Sequence, residues 1–415
     1  MDRTVHVIGA GLAGLAAAIR LVGARGRVVV HEAAGQAGGR CRSYHDPALD
    51  MLIDNGNHLL LSGNHAARAY LATIGAGDSL IGPPRARFPF VDLKSRARWT
   101  IEINEGRIPR WIFDARRRVP GTRVVDYLAL ARLLWPGADR TIGEVVACKG
   151  LLYERLMRPL LLAALNTEPS EASAALAAAV LRETLMVGGQ ACRPLIARDG
   201  LGPAFVEPAL AHLAAHGARV MFGHRLRSLG FDDRRVVALQ FGEDAIALAP
   251  DDAVILAVPP VVAASIVPDL AAPTEFRAIV NAHFRVTPPA GTPSIVGVIN
   301  GTTEWIFAFA DRLSVTISGA DRLVDEPRED LAATIWREVA QACGLGEGAP
   351  LPPWQIVRER RATFAAIPAE ERKRPPARTG WRNLFLAGDW TATGLPATIE
   401  GAVRSGNRAA ELASA

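Results

Sequence analysis

Three glycines close to the start of the sequence have the spacing that lets a backbone approach a phosphate group. Gly9, Gly11 and Gly14 follow a short apolar run and precede an alanine-rich one, in VIGAGLAGLAAAIRL. The pattern predicts a strand, a tight turn at Gly9, and a helix that Gly14 allows to pack close to the strand. Gly11 has no side chain to keep a pyrophosphate away from the helix N-terminus. The alternative is that the glycines only turn a strand into a helix.

A carboxylate stands where the ribose of a dinucleotide would need one. The segment RVVVHEA predicts a second strand that leads to Glu32, eighteen residues after Gly14. At this distance from the glycine turn, a carboxylate accepts hydrogen bonds from the two ribose hydroxyls. A solvated glutamate at a strand end is the alternative, and the βαβ pattern around Glu32 favours the dinucleotide site.

The residues after Glu32 distinguish between nucleotide cofactors. The stretch GQAGGRCRS contains Gly38, Gly39 and Arg40, and a domain that binds only NAD needs no second glycine pair followed by an arginine. The stretch resembles the flavoprotein superfamily of amine oxidases, phytoene desaturases and protoporphyrinogen oxidases. The resemblance implies that Gly39 and Arg40 lie against the pyrophosphate of FAD, where a planar guanidinium suits the phosphate oxygens.

The C-terminal segment extends this resemblance. Residues 383–406 read NLFLAGDWTATGLPATIEGAVRSG, which predicts a strand, a turn at Gly388 and Asp389, and a helix. The resemblance implies that Asp389 binds the ribitol and pyrophosphate region of FAD. It also implies that the first helical turn, with Ile399 and Ala402, directs backbone amides at the N1/O2 edge of the flavin, where negative charge gathers on reduction.

The same resemblance implies an α/β fold in which a Rossmann-like FAD-binding domain is interrupted by an α+β substrate domain. The segment GARVMFGHRLRSLGF resembles the middle FAD segment of the superfamily, in which Leu226 would meet the adenine through its backbone. We expect the first insertion to be mostly helical and the second to be rich in strands. The predicted order is FAD-binding residues 1–68, a helical, membrane-facing insertion 69–194, FAD-binding residues 195–265, a β-rich substrate domain 266–378 and FAD-binding residues 379–415.

Composition excludes several classes of protein. The chain has 415 residues, 49% of them hydrophobic, and four cysteines without a CxxC pair. Scattered cysteines argue against a structural metal site or a disulfide framework, and they favour a reducing, cytoplasmic compartment. No uninterrupted apolar stretch of about eighteen residues predicts a spanning helix, and no secretory signal is recognised. Because no cysteine lies in the C-terminal FAD motif, we expect FAD to be bound non-covalently.

The segment IDNGNHLLLSGNHAARAYLATIGA, residues 53–76, narrows the resemblance. In the superfamily a D-x-G turn, here with Gly56, runs past the isoalloxazine ring. The form D-N-G-N-H-L-L-L is similar to that of the hydroxysqualene dehydroxylases, squalene-associated flavoproteins of hopanoid biosynthesis, and RERRATFAAIP at residues 358–368 is similar as well. In that group we expect glutamine where Asn57 stands, and asparagine keeps the amide on a shorter side chain.

The narrower resemblance implies a reductive dehydroxylation. An allylic hydroxyl of hydroxysqualene is protonated and leaves as water, and reduced FAD delivers hydride to give squalene. The site must supply one proton and exclude bulk water. His58 is the candidate acid because imidazole titrates near neutral pH, and Asn57 is the candidate to orient the hydroxyl or a water. Arg361 and Phe364 are candidates to line the substrate cavity. The alternatives are that His58 only hydrogen-bonds a backbone carbonyl beside the FAD, and that Arg361 and Phe364 are ordinary strand residues.

Other activities remain open from the sequence alone. A carotenoid-type desaturase would use the same motifs in the opposite direction, with oxidised FAD removing hydride from a polyene. An amine oxidase of this superfamily usually carries a lysine in the strands of its substrate domain. The lysines here, Lys94, Lys149 and Lys373, all lie outside residues 258–371, which weakens that alternative. A non-catalytic FAD-binding or lipid-carrier protein is the third alternative.

Arginine is mixed with large apolar side chains in the first insertion. The chain has 47 Lys and Arg against 42 Asp and Glu, and only three of these cations are lysine. No recognition fold or basic–aromatic repeat indicates nucleic acid. We therefore expect an anionic membrane surface, at the inner face of the cytoplasmic membrane, as the source of a long isoprenoid hydrocarbon. Upstream prenyl-transferring synthases are further candidate partners. The predicted docking residues are Trp111, Trp135, Leu160–Leu162, Arg116, Arg117, Arg118, Arg155 and Arg158.

Overall fold

The computed structural model describes residues 3–23, 26–346 and 348–415. The strands in these residues are β1 (Thr4–Ile8), β2 (Arg27–His31), β3 (Ser43–Asp46), β4 (Met51–Asp54), β5 (Leu60–Leu61), β6 (Leu80–Ile81), β7 (Ala86–Asp92), β8 (Arg98–Ile103), β9 (Pro194–Ala197), β10 (Arg219–Met221), β11 (Ser228–Asp232), β12 (Arg235–Phe241), β13 (Asp244–Ala247), β14 (Ala253–Leu256), β15 (Phe276–Arg285), β16 (Ile295–Ile299), β17 (Trp305–Ala308), β18 (Arg312–Ile317), β19 (Trp354–Phe364) and β20 (Leu384–Leu386). The helices are α1 (Leu12–Leu21), α2 (His65–Thr73), α3 (Leu128–Arg132), α4 (Ile142–Val145), α5 (Arg158–Leu165), α6 (Ala174–Glu183), α7 (Gly189–Cys192), α8 (Glu207–Ala215), α9 (Pro260–Ile266), α10 (Arg328–Cys343), α11 (Pro368–Glu371) and α12 (Ile399–Ser414). Within the described residues, none of these helices has the length and apolar character needed to cross a bilayer.

Five parallel strands form the first sheet, in the order β10–β2–β1–β14–β20. Val7 and Ile255 of its central strands are fully buried, as expected for parallel strands that are covered on both faces. Helices α1, α8 and α12 cover one face, and the antiparallel strands β11, β12 and β13 cover the other. The strand order and the helix that follows β1 confirm the predicted Rossmann-like domain.

Seven strands form the second sheet, in the order β19–β15–β18–β17–β16–β7–β8. Strands β7 and β16 pair in parallel, whereas the other neighbours are antiparallel. One face packs on α10, where Val280, Val315 and Ile335 are fully buried. The other face, which includes Trp305, packs into an apolar core with residues of α5 and α6. This sheet therefore has an apolar core on each face, and the core on the second face also includes Ile8, Leu386 and Trp390 of the FAD-binding segments.

The first insertion contains more strand than its sequence led us to expect. We predicted that residues 69–194 would be mostly helical, but 86–92 and 98–103 form β7 and β8 and extend the second sheet. In these strands Phe88, Phe90 and Ile101 are buried while the residues between them are more exposed, which is the period of two expected of a half-buried strand. Helices α3 to α7 follow them. The boundaries between the segments stay predictions.

The apolar part of the predicted docking set is largely wrong. Trp111, Leu161 and Leu162 are 4%, 3% and 3% exposed, because they pack inward with the rest of the insertion. Trp135 is 72% exposed, as its predicted role requires. For Trp111 and Trp135 the spacing of apolar residues could not distinguish these two orientations, because both lie in short turns without a long helical period.

The cationic part of the predicted docking set is mostly engaged within the protein. Arg117 Nη2 lies 2.8 Å from a carboxylate oxygen of Glu102, and Arg158 contacts Glu168 at 2.9 Å. The remaining contacts are Arg116 to Asp114 at 3.3 Å, Arg118 to the carbonyl oxygen of Ile112 at 3.1 Å and Arg155 to Asp92 at 3.9 Å. These arginines are therefore less available to lipid phosphates than their sequence positions suggested.

Candidate active site

The glycine turn after β1 combines close backbone packing with one open position. Gly9 has a φ of +105°, and a Cβ on it would lie 2.4 Å from the carbonyl oxygen of Ala257. A Cβ on Gly14 would lie 1.9 Å from the carbonyl oxygen of Gly9, which shows how closely α1 approaches the turn. A Cβ on Gly11 would meet no atom within 4 Å. The open space at Gly11, beside the N-terminus of α1, can hold a phosphate group.

Glu32 follows β2 and its carboxylate is held against the glycine turn. Its Oε2 accepts a hydrogen bond of 2.7 Å from the N–H of Ala10, and its Oε1 accepts one of 2.8 Å from the N–H of Ala34. The carbonyl oxygen of Glu32 accepts the N–H of His224 at 2.8 Å, which brings the segment of Leu226 to the same end of the site. Each carboxylate oxygen keeps a free lone pair, as a ribose diol requires.

The second glycine pair lies directly beside the first glycine turn. The N–H of Gly38 donates to the carbonyl oxygen of Ala10 at 2.8 Å. Gly38 and Gly39 have φ of +106° and +55°, values that favour glycine. A Cβ on Gly39 would lie 3.3 Å from the Cα of Gly11. The GGR stretch therefore adjoins the open position at Gly11, and its contact with a pyrophosphate stays a prediction.

Arg40 joins the first and the last FAD segments. Its Nη2 donates to both carboxylate oxygens of Asp389, at 2.7 and 2.6 Å, and its Nη1 donates to the carbonyl oxygen of Ala362. Asp389 follows Gly388, whose φ is +149° and whose Cβ, if present, would lie 2.4 Å from Nε1 of Trp390. The glycine therefore lets the indole fold back beneath the loop while the Asp389 carboxylate meets Arg40.

A buried arginine that sequence reasoning missed holds this C-terminal loop. Arg374 is 5% exposed, and its Nη2 donates to the carbonyl oxygen of Asp389 at 3.0 Å and to Oγ1 of Thr393 at 2.8 Å. Its Nη1 pairs with Glu371 at 2.7 Å, and its guanidinium lies 4.7 Å from the ring centroid of Phe364. Arg374 occurs in a proline- and arginine-rich stretch that predicts an exposed loop, so only the tertiary contacts identify it.

Helix α12 begins next to the same loop. The Oγ1 of Thr398 accepts the N–H of Gly401 at 3.1 Å and caps the helix. The N–H of Gly388 donates to Oγ of Ser405 at 3.0 Å, which ties the loop to the helix. Ile399 and Ala402 lie in the first turn of α12, at the positive end of the helix dipole, and the N–H of Ala402 donates to the carbonyl oxygen of Thr398 at 2.9 Å. This placement fits a negatively charged flavin edge.

The D-N-G-N-H turn contacts the second sheet. A Cβ on Gly56 would lie 2.9 Å from Nδ2 of Asn281, which is buried on β15. The N–H of Asn57 donates to Oδ1 of Asn281 at 3.4 Å, and Nδ2 of Asn57 donates to Oγ1 of Thr316 at 3.2 Å. The Oδ1 of Asn57 is buried and has no hydrogen-bond partner among the described residues. Because buried polar atoms are nearly always paired, this acceptor is suited to a bound ligand.

Asn281 and Thr316 are polar site residues that sequence reasoning missed. They are opposite one another in the register of β15 and β18, and the Thr316 hydroxyl donates to Oδ1 of Asn281 at 2.7 Å. His283 and Ser314 form the next polar pair on that face, at 2.8 Å. Polar residues at every second position of two apolar strands were the available signal.

His58 lies near Arg40 and Asp389. Burial, the larger cause, and the positive charge of Arg40 lower the pKa of His58 to about 4, and the charge of Asp389 opposes them. The imidazole is therefore neutral near pH 7 when no cofactor is bound. The predicted role of His58 as a general acid stays a prediction, and it requires that negative charge brought by cofactor or substrate raises this pKa.

The two predicted lining residues differ in position. Phe364, at the end of β19, is 3% exposed and lies beneath Arg374. Arg361 is exposed, and its guanidinium lies 5.9 Å from the ring centroid of Phe276. Their contact with a substrate stays a prediction. Phe364 has at least one structural role, because its ring supports Arg374, which holds the loop that contains Asp389.

Comparison with known proteins agrees with the geometry of these segments. Residues 12–413 match the model of the flavin-containing amine oxidoreductase family. The chain belongs to this family. It is 62% identical over 413 residues to a hydroxysqualene dehydroxylase of Rhodopseudomonas palustris, with 99% of this chain and 98% of that protein covered. It is 58% identical over 414 residues to a hydroxysqualene dehydroxylase of Sinorhizobium fredii, with 100% and 99% covered.

A solved structure shows the same fold at low sequence identity. Cyclohexylamine oxidase from Brevibacterium oxydans superposes with a TM-score of 0.74 at 17% identity, and the match covers 100% of this chain and 99% of that one. The family and the fold confirm that this chain is a flavin-dependent oxidoreductase with FAD as its cofactor. The roles of the individual residues around the cofactor stay predictions, which the contacts above support.

Proposed function

We propose that this flavoprotein reduces hydroxysqualene to squalene with a hydride from reduced FAD. The observation that carries the proposal is the 62% identity, over 99% of the chain, to a hydroxysqualene dehydroxylase. FAD would supply the hydride when it is bound and reduced. The protonated hydroxyl leaves as water and the hydride takes its place on carbon, so one proton and one hydride are consumed for each water released.

Asn57 is positioned to hold the hydroxyl that leaves. Its Oδ1 is a buried acceptor without a hydrogen-bond partner in the part of the chain that the structure describes, and its Nδ2 donates to Oγ1 of Thr316 at 3.2 Å. The amide is therefore oriented by its donor side, and its acceptor side is free for a substrate O–H. Asn281 receives the backbone N–H of Asn57 at 3.4 Å and supports the same turn. A hydrogen bond to the hydroxyl hydrogen aligns one oxygen lone pair for protonation.

His58 follows Asn57 in the turn and is the proposed carrier of the proton. Its pKa of about 4 reflects burial and the Arg40 charge in the protein alone. Phosphate groups next to Arg40 would neutralise that charge, and they would raise the pKa of His58 toward the range in which imidazole transfers protons. The adjacent positions of the acceptor and the acid suit the protonation of a single hydroxyl.

The apolar face of the second sheet supports exclusion of water. Trp305, Phe307 and Phe364 are each 3% exposed and belong to one apolar cluster with Trp390 of the C-terminal FAD motif. Bulk water would capture an allylic cation before hydride reached it, so a dry environment favours reduction over rehydration. Aromatic faces also stabilise nearby positive charge.

The lysine contacts weaken the amine oxidase alternative. Lys373 pairs with Glu370, which is 2% exposed, at 2.5 Å and donates to Oγ1 of Thr274 at 2.8 Å, so its ammonium group is already engaged within the protein. The carotenoid-type desaturase uses the same cofactor segments, and the direction of hydride transfer separates it from the proposed reaction.

An anaerobic single-turnover experiment tests the proposal. FAD-loaded protein is reduced with dithionite and mixed with hydroxysqualene in detergent micelles. We expect the flavin absorbance to return and squalene to form in equal amount, as measured by mass spectrometry. Flavin that stays reduced, without squalene, would contradict the proposal. Turnover of phytoene by the oxidised protein would instead support the desaturase.

We propose further that the substrate comes from a membrane and that the protein works in the cytoplasm. A thirty-carbon hydrocarbon is scarcely soluble in water, so the inner face of the cytoplasmic membrane and an upstream prenyl-transferring synthase are the proposed sources. The four cysteines are all free, which suits a reducing compartment. Co-fractionation of the native protein with membranes, and its release by salt, would test this location.

A further inference from the structure

We propose that six exposed apolar side chains of the first insertion form a docking surface for an anionic lipid membrane. The inference rests on the proposed function, because a hydrocarbon substrate is dissolved in the bilayer. The six side chains are Ile108, Phe113, Val125, Leu128, Trp135 and Leu151, with exposed fractions of 64%, 66%, 53%, 59%, 72% and 43%. The other large apolar side chains that are exposed in the described residues are spread over several segments.

Buried neighbours hold these side chains outward. Phe113 is exposed while Trp111, two residues earlier, is 4% exposed. Leu128 is exposed while the adjacent Tyr127 is 6% exposed. The rings of Trp111 and Tyr127 meet edge to face with centroids 5.2 Å apart. The two turns that present Phe113 and Leu128 are therefore packed against one another.

A buried residue anchors the chain beside Trp135, and one contact places Leu151 beside these turns. Trp135 follows Leu133, which is fully buried. At the other side, a Cβ on Gly121 would lie 3.1 Å from Cδ1 of Leu151, so Leu151 adjoins the turn that leads to Val125. A surface apolar patch of this kind is uncommon on a protein that stays in water, and it indicates a partner.

The charge around the patch fits an anionic surface. Residues 105–151 contain nine Lys and Arg against five Asp and Glu, a net charge of +4 for a chain whose formal net charge is +5. Arg107, Arg110 and Arg132 are exposed. Within the part of the chain that the structure describes, none of the three has a carboxylate within 4 Å. These cations, unlike the paired Arg117, are available to lipid phosphates.

The patch is connected to the cofactor segments by apolar packing. Trp111, Tyr127 and Leu133, which lie under the patch, belong to the same buried cluster as Trp305 and Trp390. Trp390 is part of the C-terminal FAD motif, and its Nε1 donates to the carbonyl oxygen of Val258 at 2.9 Å. Continuous apolar packing from the patch to this motif suits a hydrocarbon better than a polar ligand, and it favours lipid over a water-soluble partner protein.

Co-sedimentation of the FAD-loaded protein with liposomes tests the surface. The vesicles contain phosphatidylcholine with or without phosphatidylglycerol. One variant replaces Arg107, Arg110 and Arg132 by Glu, and a second replaces Phe113, Leu128 and Trp135 by Ser. Matched controls make the same changes at exposed sites elsewhere, with Arg234, Arg337 and Arg382 replaced by Glu, and with Val261, Val262 and Leu351 replaced by Ser.

We expect the wild type to bind vesicles that contain phosphatidylglycerol and to dissociate as salt is added. The arginine variant should bind at least about 100-fold more weakly, since three cations near an anionic surface each contribute about fivefold. The serine variant should lose about tenfold for each side chain that reaches the acyl boundary. Both controls should bind as the wild type does, with full flavin content in every sample.

Two results would overturn the docking surface. One is that the wild type does not bind the anionic vesicles. The other is that the docking variants bind as strongly as their controls. Turnover in detergent micelles separates this inference from the proposed function. Docking variants that reduce hydroxysqualene in micelles but not in vesicles support the docking surface. A wild type that fails to reduce hydroxysqualene in micelles contradicts the proposed function. In that case the sedimentation result alone tests the surface.

Discussion

Arg40 and Asp389 are 349 residues apart in the chain and form a two-point ion pair, with Nη2 of Arg40 2.7 and 2.6 Å from the two carboxylate oxygens. The side chain of Asp389 is 7% exposed, whereas that of Arg40 is 43% exposed. The carboxylate is therefore fixed within the protein while part of the guanidinium stays accessible. The pair joins the first and the last of the predicted FAD segments, and its contact with the ribitol and pyrophosphate of the cofactor is a prediction.

Replacing Asp389 by Asn should cause loss of FAD while the protein remains folded. The amide keeps the shape of the side chain but removes the charge that orients Arg40. We expect the purified variant to lack most of its flavin absorbance, with the circular dichroism of the apoprotein unchanged. Glu168→Gln provides the control, because Glu168 forms a similar two-point pair with Arg158, at 3.0 and 2.9 Å, in the first insertion. Equal FAD content in the two variants would contradict the assignment of Asp389.

Two glycine substitutions should separate cofactor binding from folding. Gly11→Val places its side chain in open space, so the apoprotein should unfold at the same urea concentration as wild-type apoprotein but should not bind FAD. Gly14→Val forces a Cβ to within 1.9 Å of the carbonyl oxygen of Gly9, so it should lower the free energy of unfolding by about 3 kcal/mol. A Gly11→Val protein that purifies with full flavin content would show that no phosphate lies at this turn.

Replacing His58 by Ala should slow the reaction without loss of FAD. Removal of a general acid lowers the rate by about two to four orders of magnitude, measured as the single-turnover reoxidation of reduced flavin by hydroxysqualene. His45→Ala is the matched control, because the His45 side chain is 63% exposed and lies 3.3 Å from Asp50 at the surface. If His58→Ala and His45→Ala reoxidise at the same rate, His58 is only a structural neighbour of the cofactor.

The stability of the apoprotein should decrease as the pH falls below about 6.5, the ordinary histidine pKa. His31 lies 3.0 Å from His6 and 2.8 Å from His224, and burial, followed by the charges of those two histidines, lowers the pKa of His31 to about 3. Between these two pKa values the unfolded chain binds a proton at this position that the folded chain does not. The stabilisation of the folded protein by the neutral imidazole of His31 is therefore complete above pH 6.5, and it is lost progressively as the pH falls toward 3.

Urea unfolding at several pH values measures this loss. A single histidine with such a shift lowers the free energy of unfolding by up to about 1.4 kcal/mol for each pH unit. His31→Gln should reduce the slope by up to that amount between pH 6 and 4, whereas the exposed-site variant His45→Gln should keep the wild-type slope. Identical slopes in all three proteins would show that His31 does not control the acid sensitivity.

The sequence by itself determined the cofactor segments and their order. The spacing of Gly9, Gly11 and Gly14, the carboxylate at Glu32 and the turn before Asp389 depend on neighbouring residues and on backbone conformations that few residues adopt. Local features of this kind can be recognised without knowledge of the rest of the chain. Because these motifs are local, the fold that they predict agrees with the family match and with the observed parallel sheet.

Tertiary structure alone decided which side chains are buried and which are free. Arg374 lies in a segment that predicts an exposed loop, but it is buried because the loop of Asp389, fifteen residues later, folds over it. Trp111 and Trp135 have similar sequence surroundings, yet the first packs on Tyr127 and the second faces solvent. Burial and pairing depend on contacts between distant residues, and the free energy of such contacts is not encoded in the spacing of neighbouring ones.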